Sequence, residues 1–128
     1  MSKKKILIVD DEKDALFVLG KELTSRHYEV ISAENGNDAL SLAESEQPNL
    51  IILDIWMPGM DGAEVSEKLR ENPKTKDIPV VFLTCLLEKK NGEGQGRLVA
   101  NKVVIAKPYD IESLSSQIER LANLKIYS

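Results

Sequence analysis

The sequence predicts a three-layer α/β domain, a doubly wound five-stranded parallel sheet with helices on both faces. Three observations predict it. Short β-branched runs alternate with amphipathic stretches along the chain. Four of the five runs are nearly continuously apolar, as strands covered on both faces are. Four runs lead into a carboxylate, a hydroxyl or a lysine. Alternating β and α segments imply parallel strands joined by right-handed crossovers.

The first strand is Ile6-Leu7-Ile8-Val9, ended by Asp10-Asp11, and the preceding Lys3-Lys4-Lys5 reads as a solvated tail. Ala15, Leu19 and Leu23 recur every four residues and predict the first helix. Arg26 and His27 follow, where a cation at a helix C-terminus is favourable. The second strand runs from Tyr28 to Ala33, punctuated by Asn35-Gly36. The helix over Asp38 to Glu46 carries Ala39, Leu40 and Ala43 on one face and stops before Gln47-Pro48. The third strand, Leu50 to Leu53, delivers Asp54. Val65 and Leu69 mark the third helix over Ala63 to Arg70, closed by Asn72-Pro73. The fourth strand spans Ile78 to Thr84.

In the next helix slot Gly92, Gly94 and Gly96 fall within five residues. At about 1 kcal/mol per glycine relative to alanine, some ~3 kcal/mol opposes a continuous helix, so this element is short or irregular. The fifth strand, Lys102 to Ala106, runs into Lys107-Pro108. Leu114, Ile118 and Leu121 mark the last helix, ending near Leu124.

The 128 residues suit one domain spanning 1–128, with about 4–124 as its ordered core and no linker, repeat or output domain. Apolar residues make up 42% and charged residues 30%, outside the disordered range. A formal charge of −4 excludes a basic nucleic-acid-binding surface. The single cysteine, Cys85, forms no internal disulfide, which fits a reducing compartment. The longest apolar stretch, Val80 to Leu87, is far short of the roughly 20 residues that span a bilayer. Asp10-Asp11 end the first apolar run too early for a signal peptide, so a cytoplasmic protein with no membrane contact is expected.

Ligands of open parallel sheets bind outside the carboxyl ends of the strands. Those ends hold Asp10 and Asp11, Asp54, Thr84 and Lys107. Three crowded carboxylates raise one another's pKa unless a cation compensates, and Mg²⁺ or Mn²⁺ suits such oxygen donors. Either aspartate of the first pair could instead cap the following helix, but that leaves Asp54 unexplained. A carboxylate can act as a nucleophile toward phosphorus. Thr84 can donate a hydroxyl hydrogen bond and Lys107 a positive charge to the transferred oxygens.

With these residues in place, the chain resembles the receiver domains of two-component response regulators. The motifs are Val9-Asp10-Asp11-Glu12, Asp54-Ile55-Trp56-Met57-Pro58-Gly59-Met60-Asp61-Gly62, Phe82-Leu83-Thr84-Cys85 and Lys107-Pro108-Tyr109. The resemblance implies a flavodoxin-like sheet of strand order 2-1-3-4-5. It implies Asp54 as phosphoacceptor, with Asp10, Asp11, Asp54 and the backbone carbonyl of Trp56 around Mg²⁺. Thr84 would be the switch hydroxyl, Lys107 the phosphate-binding lysine, and Lys107-Pro108 a cis bond. The phosphoryl donor would be a sensor histidine kinase or a histidine phosphotransfer protein. The recipient of the signal would be a further protein or a missing output domain.

The chain departs from this pattern where Val104 replaces the aromatic switch residue three positions before the lysine. Tyr109 is then the aromatic expected to respond, together with altered order over Leu86 to Asn101. The chain would catalyse only its own phosphorylation and dephosphorylation. Two rival readings are an interaction module that has lost phosphorylation and an aspartate-nucleophile phosphatase. The phosphatase needs an acid/base aspartate two residues after the nucleophile, where Trp56 stands. Gly92 to Gly96 lacks the Lys-Ser/Thr of a P-loop, and a lone histidine builds no zinc pair. Cys85 reads as a buried inert thiol, and Trp56 as either loop packing or a partner or lid contact.

Overall fold

A computed structural model describes residues 3–85 and 103–124. Its elements, in chain order, are β1 (Lys5–Val9), α1 (Lys13–Ser25), β2 (Glu29–Ala33), α2 (Gly36–Glu46), β3 (Leu50–Asp54), α3 (Gly62–Glu71), β4 (Val80–Cys85), β5 (Val103–Lys107) and α4 (Ile111–Leu124). The strands form one parallel sheet in the order β2-β1-β3-β4-β5. The expected architecture is therefore present. The glycine-rich slot between β4 and β5, the side chain of Cys85, and the expected change of order over 86–101 lie outside the described residues.

The period-two pleat splits the strand residues between two cores. Leu7, Val9, Ile51, Leu53, Val80 and Phe82 pack with Ala39 and Ala43 of α2 and Val65 and Leu69 of α3. Ile6, Ile8, Leu50, Ile52, Val81 and Leu83 pack with Leu16, Leu19 and Leu23 of α1 and Leu114 and Ile118 of α4. Both faces of the central strands are thus buried, which is why the sequence shows continuous apolar runs there.

Helix boundaries follow local chemistry. Asn35 and Asp61 accept the backbone N–H of Asp38 and Glu64 at 2.8 and 2.9 Å, capping α2 and α3. Gln47 closes α2 with a left-handed backbone, φ +49°.

Two expectations are corrected. Lys5 is no tail residue: it begins β1 and pairs with Glu46 at 2.9 Å. In α1 the fully buried stripe is Leu16, Leu19 and Leu23, with Ala15 half-buried and Phe17 and Val18 exposed. Five consecutive apolar residues, Ala15 to Leu19, give no unique face, and the sheet selects one. His27 adopts φ +75° in the turn after α1.

Candidate functional site

The direction of chain propagation reverses between β1 and β3, which opens a crevice at their carboxyl ends. Asp10 follows β1 directly, and its N–H donates to the Ala33 carbonyl at 3.2 Å. Its Oδ1 accepts the Glu12 N–H at 3.0 Å and its Oδ2 accepts Lys107 Nζ at 2.9 Å. Asp54, the last residue of β3, repeats the arrangement. Its Oδ1 accepts the Trp56 N–H at 3.1 Å, and its Oδ2 lies 3.6 Å from Lys107 Nζ. Each carboxylate thus uses one oxygen to tie down the loop two residues ahead and turns the other toward one ammonium.

Asp11 is exposed beside this pair, and oxygens of Asp10, Asp11 and Asp54 lie within 4.8 Å of one another. Thr84 follows on β4, where the Ile55 N–H reaches the carbonyl of Leu83 at 3.1 Å. Its Oγ1 is buried and makes no hydrogen bond among the described residues. A buried unpaired hydroxyl costs about 1–3 kcal/mol, a cost that a bound acceptor would remove.

Charge at this rim is unbalanced. Burial first and the neighbouring Asp10 charge second raise the Asp54 pKa, Lys107 and the Trp56 N–H lower it, and the net is a value of about 6. Burial works against the charge on Lys107. The hydrogen bond to Asp10 and the charges of Asp54 and Asp10 outweigh it, so the ammonium sits above the ordinary lysine value.

The loop after Asp54 is built around close approaches. A Cβ on Gly62 would fall 2.5 Å from the Asp54 carbonyl oxygen and 2.9 Å from Ile55 Cα. Only glycine lets α3 start against that backbone, and the Gly62 N–H donates to the Ile55 carbonyl at 2.9 Å. Gly59 turns the loop at φ +79°. Met60 then covers Gly36 at the start of α2, where a Cβ would meet its sulfur at 2.8 Å. Trp56 is 45% exposed on this loop.

The remaining candidates lie apart from the carboxylates. Val104 is half-buried opposite Phe82 and packs on the α2/α3 side of the sheet. Tyr109, beyond the cis Lys107–Pro108 bond, points to α1 and donates to Glu22 at 2.6 Å. Glu22 is the residue that motif reading missed, and Gly62 closes the motif that begins at Asp54. Gly62 was visible as an Asp-Gly pair opening a helix, whereas nothing in the sequence singles out Glu22.

A family model described as the response regulator receiver domain matches residues 6–119. The chain belongs to that family. The receiver is 37% identical over 122 residues to response regulator PleD of Caulobacter vibrioides, which covers 95% of this chain and 27% of PleD. It is 32% identical to protein PilH of Pseudomonas aeruginosa, covering 89% of this chain and 93% of PilH. Among solved structures it resembles the receiver domain of sensor histidine kinase PA1611 from P. aeruginosa, with a TM-score of 0.83 and 25% identity. That match covers 95% of this chain and 99% of the other, which was solved with a magnesium ion coordinated in its active-site cleft.

The receiver spans between about a quarter and a half of the length of PleD and of ycf27-type transcriptional regulators. Receiver domains act in two-component systems, where they partner with histidine kinases, and the family typically binds Mg²⁺. No described helix is long and apolar enough to cross a membrane.

Proposed function

We propose that this receiver takes a phosphoryl group onto Asp54 from a phosphohistidine, borne by a sensor histidine kinase or a histidine phosphotransfer protein. One observation carries the reading. Among the described residues a single ammonium, Lys107, faces two buried carboxylates at 2.9 and 3.6 Å while the buried Thr84 hydroxyl makes no hydrogen bond. Among the described residues the carboxylates have one cation too few, and the hydroxyl lacks an acceptor. A phosphoryl group with a divalent cation would answer both.

The donor set fits Mg²⁺ or Mn²⁺, since three carboxylates offer hard oxygens within 4.8 Å of one another. Asp10, Asp11, Asp54 and the Trp56 carbonyl would hold the ion. When bound, it supplies positive charge against the carboxylates and the transferred oxygens. A carboxylate oxygen of Asp54 attacks phosphorus, forming the new P–O bond. The P–N bond to the donor imidazole breaks, and that nitrogen leaves with the electron pair and takes up a proton. Lys107 meets the charge on the phosphoryl oxygens, and Thr84 donates its hydroxyl to one of them.

Residues 1–128 act in this reading as one receiver unit with its core at about 4–124. Its conformational change regulates a partner protein or an output domain, and the only reaction it promotes is at its own Asp54. The test is intact-mass analysis after incubation with acetyl phosphate. One phosphoryl group should be added to the wild type only with Mg²⁺ or Mn²⁺, and none to Asp54→Ala. An equally phosphorylated Asp54→Ala protein would overturn the assignment.

A further inference from the structure

Lys107 is the last residue of β5, an edge strand that pairs only with β4 among the described residues. Its ammonium must nevertheless hold a position between Asp10 and Asp54. Pro108 follows and has no N–H with which to fix the chain. Tyr109 is the first residue beyond it that can.

The Tyr109 ring is half-buried against the apolar cluster of α1 and α4, and its hydroxyl donates to Glu22 Oε1 at 2.6 Å. A short hydroxyl–carboxylate bond of this kind is among the stronger hydrogen bonds in proteins. Glu22 lies on α1, the helix that leaves the loop carrying Asp10 and Asp11. One hydrogen bond therefore links the segment bearing the lysine to the helix that follows the loop of its partner Asp10. On the far side, Asp110 fixes the start of α4 by accepting the Ser113 N–H at 3.1 Å, so the three-residue connection is tied at both ends.

We infer that Glu22 and Tyr109 form a positioning pair that holds Lys107 at the acceptor carboxylates, and this rests on the phosphoacceptor reading of that rim. The pair touches no phosphoryl donor and acts only through the lysine. The bond is made between a side chain two residues past Lys107 and a helix 87 residues earlier in the chain. It therefore adds long-range order where the edge strand has least.

The test compares Tyr109→Phe, Glu22→Ala and Glu22→Gln with the wild type. Phenylalanine keeps the ring and loses the donor, whereas glutamine keeps an acceptor oxygen. At saturating Mg²⁺ and acetyl phosphate, Tyr109→Phe and Glu22→Ala should phosphorylate roughly three- to tenfold more slowly, as misplacement of a charge-stabilising group does. The affinity for Mg²⁺, read from the fluorescence of the single Trp56, should stay within about twofold of wild type. Glu22→Gln should restore most of the rate, and the double variant Tyr109→Phe/Glu22→Ala should be no slower than either single one.

In the metal-free protein the ¹⁵N resonance of the Lys107 ammonium should shift in Tyr109→Phe and Glu22→Ala and stay in place in Glu22→Gln. An unmoved resonance with unchanged rates, or additive losses in the double variant, would overturn the pair. If the wild type accepted no phosphoryl group at all, the phosphoacceptor reading would fail, while the Lys107 resonance would still decide whether Glu22 and Tyr109 hold the lysine.

Discussion

Asp54 shows how a residue can be costly to the fold in which it sits. Its carboxyl has a folded pKa of about 6 against an ordinary value of 3.8, with burial the first cause and Asp10 the second. Between these values the folded state holds a proton that the unfolded state has released. The stability associated with Asp54 is therefore fully present below about pH 4 and is lost as pH rises through about 6. In metal-free protein at neutral pH, Asp54→Asn should raise stability by roughly 2 kcal/mol, and the gain should vanish near pH 4. Urea denaturation of both proteins at several pH values would check this. Equal stabilities at pH 7 would mean that Lys107 compensates the charge in full. The neighbouring hydroxyl of Thr84 is a second cost of the same kind, since it is buried and unpaired among the described residues. Both costs fall on residues that strand-end reading picks out without any structure, because an aspartate or threonine closing an apolar run has no packing reason to be there.

At the scale of elements, the loop from β3 to α3 must hold Asp54 while turning sharply, and two adjacent residues divide the task. Asp61 caps α3, whereas Gly62 admits the helix against the Asp54 backbone. Asp61→Ala should cost about 1 kcal/mol and leave the phosphorylation rate near wild type. Gly62→Ala places a methyl group 2.5 Å from a backbone oxygen that cannot yield cheaply. It should cost about 2–3 kcal/mol and slow phosphorylation, because the strain is relieved by moving Asp54. Thermal melts paired with acetyl-phosphate kinetics separate the two, and a Gly62→Ala protein as fast as wild type would show that the strain goes elsewhere. The same elements show what sequence carries and what it withholds. The central strands were legible because burial on both faces leaves an unbroken apolar run, and the strand boundaries are displaced by only one or two residues. The buried face of α1 was not, because Ala15 to Leu19 are all apolar and only contact with β1 and β2 separates Leu16 from Phe17. Pairings such as Lys5 with Glu46 and Tyr109 with Glu22 join residues 41 and 87 positions apart, and no local pattern records them.

For the molecule as a whole, two apolar cores support one charged rim. Phe82 of the sheet and Val65, Leu23 and Ile118 of the helices, all fully buried, make those cores rigid, and the repulsive carboxylates are gathered where the cores end. The native state is therefore the one that gathers the three carboxylates, and the unfolded chain disperses them. A cation that binds only the folded form stabilises it by RT ln(1 + [L]/Kd), about 2.7 kcal/mol at a hundredfold excess over Kd. Binding requires Asp54 in its charged form, and protons compete for that carboxylate with a pKa of about 6. Lowering the pH from about 7.5 to 5 should weaken Mg²⁺ roughly tenfold and remove about 1.4 kcal/mol of the stabilisation. The metal-free protein should respond in the opposite sense over the same interval, gaining stability from Asp54 as it protonates. Melting curves with and without Mg²⁺ should therefore lie far apart at pH 7.5 and converge toward pH 5, whereas in Asp54→Asn the small remaining separation should hardly depend on pH. A separation in wild type that stayed constant across this range would show that Asp54 is charged in the metal-free fold throughout, and that Lys107 already balances it.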